Sequence, residues 1–278
     1  MQRPTIAIVG PGRAGSALGR ALHTAGYTIA AIGGRNPDNV RNLAEELGAQ
    51  ACQSPATTID VADLTILAVP DDVILPLATD MVESLCSAAG KSVVHLSGAQ
   101  DRSALRPLAE QASLRIGVFH PLQTFRRGPE AVGNVAGTYF GIDAEPLFRD
   151  QLMQLARDLH GYPFDLTGVD RSLYHAAAVF AANYPITLLA EAIALAADAG
   201  LDPETARLGM TTLLAGAVNN LRDLPPAEAI TGPASRGDQG TIEHHLDALK
   251  NDPQLQRLYQ LLADRTRDLA PKKKENAA

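Results

Sequence analysis

Thr5-Ile-Ala-Ile-Val-Gly10-Pro-Gly12-Arg-Ala-Gly15 leads through Ser16-Ala-Leu-Gly-Arg-Ala-Leu22 to Gly33-Gly34-Arg35-Asn36. A β-branched apolar run stops at a glycine turn, and the turn opens into helix-forming residues. That context makes the G-x-G-x-x-G pattern informative, because a glycine pattern without it is weak. Gly10 permits a tight bend, Gly12 lets backbone approach a pyrophosphate, and Gly15 lets the helix lie close to its strand. The turn Pro11-Gly12-Arg13-Ala14 then lies against an anion, with the free N–H groups at the helix start facing it. A glycine-rich loop without a ligand is the plain alternative.

The second half of the stretch concerns the choice of cofactor. A strand over about residues 27–32 ends in Gly33-Gly34-Arg35-Asn36, with no acid before Asp38. An acid there would hold the ribose of NAD, whereas a guanidinium grips a 2′-phosphate. Arg35 and Asn36 therefore point to NADP(H), and the competing reading makes Arg35 a solvated loop charge.

Strands and helices alternate further along. Leu64-Thr-Ile-Leu-Ala-Val69, Ser92-Val-Val-His-Leu96, Arg115-Ile-Gly-Val-Phe119, Thr138-Tyr-Phe-Gly-Ile142 and Tyr162-Pro-Phe-Asp-Leu166 read as strands with helices between them. This order predicts an α/β fold, a doubly wound parallel sheet covered on both faces. From Asp170 onward only helix patterns appear, and Asp202-Pro203-Glu204 is a helix start. The reading is a dinucleotide-binding domain over 1–167 and an all-helical domain over 168–278, with substrate in the cleft between them.

Composition narrows the function classes. The chain has 278 residues, 46% of them hydrophobic, enough for a substantial core. A net charge of −7, with no basic recognition helix, argues against a nucleic-acid partner. The basic tail Lys272-Lys273-Lys274 reads as a solvated end. The two cysteines, Cys52 and Cys86, form no disulfide framework and suit a reducing cytoplasm. No secretory signal is read at the N-terminus. No uninterrupted apolar run reaches the roughly 20 residues of a membrane span, since Asn183, Pro185 and Glu191 break the alanine-rich stretch.

In open α/β sheets, ligands bind beyond the carboxyl ends of the strands. Val69-Pro70-Asp71-Asp72 would cradle the nicotinamide ribose, or the acids would cap a helix from Val73. Ser97-Gly98 would bind a substrate carbonyl or carboxylate, or form a plain turn. His120 would donate a proton or hold its loop. Tyr174-His175 and Asn183-Tyr184-Pro185 lie on the first helix of the second domain. His175 and Asn183 are about 80° apart on it, and Pro185 should kink it. Asn183, an amide among apolar neighbours, calls for a partner. Arg236, in Thr231-Gly-Pro-Ala-Ser-Arg-Gly-Asp238, would anchor a carboxylate, or pair with Asp238 in a capping loop. His244-His245 reads as a solvated helix face, not a metal site.

Val9-Gly-Pro-Gly-Arg-Ala-Gly15, Ala68-Val-Pro-Asp-Asp72, His95-Leu-Ser-Gly-Ala99, His120-Pro-Leu-Gln-Thr-Phe125 and Gly232-Pro-Ala-Ser-Arg-Gly-Asp238 occur in this order. Together they resemble a group of bacterial reductase-like proteins with a Rossmann-like domain and a C-terminal helical domain of unknown function. That group is distantly similar to pyrroline-5-carboxylate reductases, 6-phosphogluconate and β-hydroxyacid dehydrogenases, and ketopantoate reductases. The resemblance implies a homodimer formed through the helical domain. Ketopantoate and β-hydroxyacid enzymes carry a Lys donor on the first helix of the second domain, with an Asn downstream. Here no Lys stands on that helix, so His175 is the nearest titratable replacement and Asn183 matches the amide.

The expectation is a cytoplasmic NADPH-dependent reductase of a small carbonyl acid, with a branched 2-keto acid such as ketopantoate as the leading substrate. His175 or His120 gives the proton, Asn183 and Ser97 hold the reacting oxygen, and Arg236 holds the carboxylate. Two other readings stand beside it: a cyclic imine reductase, and a non-enzymatic NADP(H)-binding sensor.

Overall fold

The structure, a computed structural model, describes residues 3–87, 90–126, 128 and 133–271. The tail Lys272-Lys273-Lys274 lies outside them. The chain divides into two compact units, Met1–Tyr184 and Pro185–Ala278.

The first unit is built on one eight-stranded sheet, ordered β3-β2-β1-β4-β5-β6-β7-β8. Its first strand, β1 (Ile6–Val9), is buried at every position and continues through the glycine turn into α1 (Arg13–Thr24). α1 lays Ala17, Leu18, Ala21 and Leu22 into the core shared with Ile6 and Ile8. The chain returns as β2 (Ile29–Gly33), parallel to β1. α2 (Pro37–Leu47) begins with Pro at its first position and stops at Gly48 in the left-handed region, as local residue preferences dictate. A short β3 (Gln50–Cys52), unforeseen from the pattern, closes this side of the sheet. After α3 (Thr58–Val61), β4 (Leu64–Leu67) pairs on the other side of β1, so strand order reverses between β1 and β4. Ligands bind at such a reversal, outside the carboxyl ends of the strands.

α4 (Asp71–Ser84), β5 (Ser92–His95), α5 (Arg106–Ala112) and β6 (Arg115–Leu122) extend the sheet. β7 (Tyr139–Ala144) is antiparallel to β6, so the expected parallel sheet carries one antiparallel pair. The physical reason is the connection: an antiparallel pair needs no helical crossover, whereas a parallel pair does. α6 (Pro146–Asp158) provides the next crossover, and β8 (Tyr162–Asp165) returns parallel to β7.

Strand structure ends at Asp165, and α7 (Arg171–Ala182) begins the helical run, yet the sheet's compact unit continues to Tyr184 rather than stopping at 167. Polar anchors on β6 and β7 hold α7 to the sheet. Arg171 pairs with Asp143 at 2.9 Å, and the Tyr174 hydroxyl meets His120 at 2.7 Å. The helix breaks at Asn183, and α8 (Tyr184–Asp198) starts beyond it. Pro185 has no N–H to give the carbonyl of Ala181, as the sequence predicts.

The second unit is helical. α9 (Pro203–Asn220), α12 (Gln239–Ala248) and α13 (Pro253–Leu269) are capped by Asp202, Asp238 and Asp252 in turn. The short α10 (Pro226–Ala229) and α11 (Pro233–Arg236) lie between. α11 and α12 pack on α13. The His245 ring bonds the Tyr259 hydroxyl at 2.7 Å. α8 buries no residue and α9 only Ala206, while Ile186, Leu208, Leu213 and Val218 are exposed. By length and composition alone, Arg171–Asp198 is long and apolar enough to cross a membrane: 28 residues, mean hydropathy 1.5 in its most apolar window. Asn183 still interrupts the run, where α7 ends. Alanine and leucine keep the mean high despite Asn183, Pro185 and Glu191.

Candidate active site

The three glycines of the opening turn play separate parts. Gly10 has φ of +95°, and a Cβ there would overlap the Ala68 carbonyl at the end of β4. A Cβ at Gly15 would overlap the Gly10 carbonyl and lie 2.9 Å from the Ala68 Cβ, so α1 packs tightly against the turn. At Gly12 nothing lies within 4 Å of an added Cβ, which leaves backbone facing open space. Gly12 is the N-cap of α1 and no side chain caps the helix. The first-turn N–H groups of Arg13, Ala14 and Gly15 thus have no intrahelical acceptor and suit an anion. The two halves of the opening stretch also meet, since a Cβ at Gly34 would lie 2.6 Å from Pro11 Cδ.

A cavity of about 440 Å³ adjoins this turn, lined among others by Pro11, Gly12, Arg13, Ser16, Arg20, Asn39, Asn42 and Arg126, with no carboxylate. Glu46 holds Arg20 at 2.6 Å. Among the described residues, Arg13 and Arg126 have no ion-pair partner within 4 Å. Arg126 carried no signal in the sequence, because its segment reads as a loop with no ligand-binding pattern. Arg35 is exposed and does not line the cavity. The Asn36 side-chain oxygen accepts from the N–H groups of Asp38 and Asn39, both at 3.0 Å, so it caps α2. An open glycine backbone, free N–H groups and unpaired guanidiniums fit the phosphates of a dinucleotide.

Polar groups converge where β4, β5 and β6 end. Pro70 precedes α4, and Asp71 and Asp72 fall in its first turn instead of capping it through their side chains. Ser97 is buried, and its hydroxyl oxygen accepts from the N–H groups of Ala99 (3.1 Å) and Gln100 (3.0 Å). It therefore holds the turn and keeps only its own proton to give. Gly98 sits against His120: a Cβ there would lie 2.7 Å from His120 Nε2. His120 Nδ1 is 2.7 Å from the Tyr174 hydroxyl, and the rings meet edge to face. Burial, then the nearby His175, Arg171 and His95, push the His120 pKa down to about 4, with Asp71 opposing. His120 is accordingly neutral near pH 7, which removes its imidazolium as a proton source. Burial also pushes the Tyr174 hydroxyl up to about 12.

His95 Nδ1 accepts the Ser97 N–H at 3.2 Å and His95 Nε2 lies 3.0 Å from the Asp101 carbonyl. Both ring nitrogens are used, and burial lowers its pKa. Beneath the cluster, Arg171 and Asp143 form a buried pair that Arg102 approaches at 3.8 Å. Arg171 Nη1 has no partner although it is buried.

The first unit thus brings together Ser97, Gly98, His120 and Tyr174, with Asp71 near enough to act on His120. His175 is exposed and forms no hydrogen bond among the described residues, and Asn183 is exposed at the break after α7. In the second unit, Arg236 is exposed at the end of α11 without an ion pair within 4 Å, and Asp238 bonds Thr241 instead. Tyr174 adjoins His175 in the sequence, and the sequence alone assigns it no role. The signal was there, a phenol one residue from the chosen imidazole, but adjacent helix positions diverge by about 100°. Among the described residues, no three His, Cys, Asp or Glu side chains gather as a metal site.

Comparison with known proteins finds matches to two domain families. Residues 1–121 match the Rossmann-like domain family, and residues 138–266 match a domain of unknown function, DUF2520. No curated protein matches the chain in sequence. A Bacteroides fragilis protein, described provisionally as an NADP oxidoreductase, is 26% identical over 96% of this chain and 98% of its own, with a TM-score of 0.77. The Thermotoga maritima protein TM1727 is 24% identical over 95% and 99%, with a TM-score of 0.76. An imine reductase from a Pseudomonas species shares the fold at 20% identity over 96% and 93%, with a TM-score of 0.64.

Proposed function

We propose, on the premise that this chain belongs with the Rossmann-like proteins that carry a C-terminal DUF2520 domain, that it is an NADPH-dependent reductase of a small carbonyl acid. The observation that carries the reading is the joint presence, at the carboxyl ends of one sheet, of the open glycine turn and the His120–Tyr174 pair. The N–H groups after Gly12 would hold the pyrophosphate, and Arg13, Arg126 and Arg35 are the guanidiniums available for the 2′-phosphate. Bound there, the dihydronicotinamide supplies a hydride. The chain's part is to orient the substrate at the Ser97-Gly98 turn and give the reacting oxygen a proton. Ketopantoate draws no support from the relatives, so the substrate is proposed as a class. Two unpaired cysteines suit a cytoplasmic setting.

Calorimetry with NADPH and NADH tests the cofactor. Losing a charged hydrogen bond to the 2′-phosphate costs about 1.5–3 kcal/mol, or roughly 10- to 100-fold in affinity. Arg35→Ala or Arg126→Ala should weaken NADPH by that factor and leave NADH alone if the residue reads the 2′-phosphate. Equal weakening of both assigns it to the pyrophosphate. Failure of either nucleotide to bind the unaltered protein refutes the proposal.

The exposed apolar side chains of α8 and α9 are proposed to be covered by a second copy. The expected mass in light scattering is twice 29.3 kDa, and Leu213→Asp with Ile186→Asp should give the monomer. Recovery only with detergent or lipid vesicles would favour a membrane in place of a second copy.

A further inference from the structure

We propose that the Tyr174 hydroxyl is the proton donor of the reduction and His120 its positioning residue, so that the group reduced is a carbonyl and not an iminium. The proposal rests on the reductase reading and deepens it. His120 is clamped from two sides. Gly98 leaves no room for a side chain beside Nε2, and Tyr174 bonds Nδ1 at 2.7 Å. The phenol ring is itself held, with Phe164 6.3 Å away and the His120 imidazole edge-on at 5.5 Å. Each other nearby imidazole fails as a donor for a visible reason. His95 has both nitrogens engaged by backbone, and His175 is exposed and, among the described residues, held by no hydrogen bond. His120 is kept neutral. A neutral imidazole has a single N–H. With that proton on Nδ1, His120 donates to the phenol oxygen and leaves the phenol proton directed elsewhere.

Reducing a carbonyl takes a hydride at carbon, delivered with its electron pair by reduced nicotinamide, which ends oxidised. The C=O π pair moves to oxygen, and that oxygen takes the proton released as the Tyr174 O–H bond breaks. The phenolate formed accepts the His120 Nδ1–H, lies in the field of Arg171, and regains a proton from water. Burial holds the phenol up at about 12, and Arg171 opposes it by favouring the ionised form. A protonated cyclic imine takes only the hydride, and for that substrate the pair would stand idle.

The test compares Tyr174→Phe with the unaltered protein. NADPH oxidation is followed with pyruvate and 2-oxoisovalerate as carbonyl probes and 2-methyl-1-pyrroline as the imine probe. The expected result is turnover of a keto acid, with kcat falling about 100-fold or more in Tyr174→Phe and KM little changed. A readout without cofactor is the nitrogen-15 spectrum of His120 in the unaltered protein. Nδ1 should be protonated at pH 7, and its shift should move in Tyr174→Phe. His120→Asn should lower kcat and alter its pH profile while sparing NADPH affinity. A protonated Nε2 with a bare Nδ1, or unchanged keto-acid turnover in Tyr174→Phe, overturns the donor assignment alone. Turnover of the imine only overturns the carbonyl assignment. NADPH oxidation with neither class overturns the reductase reading as well.

Discussion

Replacing Asp143 with alanine will destabilise the protein by about 3–5 kcal/mol. Asp143 on β7 and Arg171 at the start of α7 are among the few buried charged side chains, 6% and 8% exposed. Their contact is 2.9 Å. Removing the carboxylate leaves a guanidinium that water cannot reach, and Arg171 Nη1 already lacks an acceptor. A folded domain has only about 5–15 kcal/mol to lose. Asp143→Leu combined with Arg171→Met should recover most of the loss, because apolar replacement of both partners removes the desolvation cost with the attraction. Urea midpoints of the two single variants, the double variant and the unaltered protein give the coupling directly. A loss under about 1 kcal/mol for Asp143→Ala would mean that water reaches the guanidinium. The same variant should weaken any His120–Tyr174 chemistry before it unfolds, since Arg171 stands one turn from Tyr174 on α7.

Acid will destabilise the fold through His120. Its folded pKa is about 4, below the ordinary 6.5. Between these values the unfolded chain binds a proton that the folded chain refuses. The stabilisation is therefore complete above pH 6.5 and is lost as pH falls toward 4. The gap corresponds to roughly 3 kcal/mol. His95, lowered by burial, acts with the same sign. The groups acting on His120 are His175 and Arg171 on α7 and His95 on β5, which favour the neutral ring, and Asp71 on α4, which opposes them. Melting temperatures from pH 7 to 4 should fall less steeply in His120→Gln than in the unaltered protein. Equal slopes would show that His120 titrates as it does in water. Keeping the ring neutral also predicts a rate without an imidazolium step near pH 6.5.

Several elements were legible because single residues specify local backbone. The starts of α2 (Pro37–Leu47) and α13 (Pro253–Leu269) are written locally. In both, a proline at the first position and an Asn or Asp cap mark the start. β3 escaped notice because three edge residues show no period. The direction of β7 escaped because strand composition does not encode which way a strand runs. Ser97 was expected to hold the reacting oxygen or to form a plain turn, and its hydroxyl accepts from the turn's own N–H groups. Tyr174 drew no role from the sequence, because neighbouring helix residues look equivalent until the packed face is known.

The sequence by itself determined the β-turn-α unit, the alternation of strands and helices, and the helix break before Pro185. Each depends on conformational limits of residues next to one another: a positive φ at Gly10, a missing N–H at Pro185. Only the tertiary structure decided that Tyr174 faces His120 across 54 positions and Arg171 faces Asp143 across 28. Those meetings depend on strand order and on the face of α7 that packs against the sheet. Distant pairing of that kind is fixed by the burial of the whole core, and no local run of residues records it.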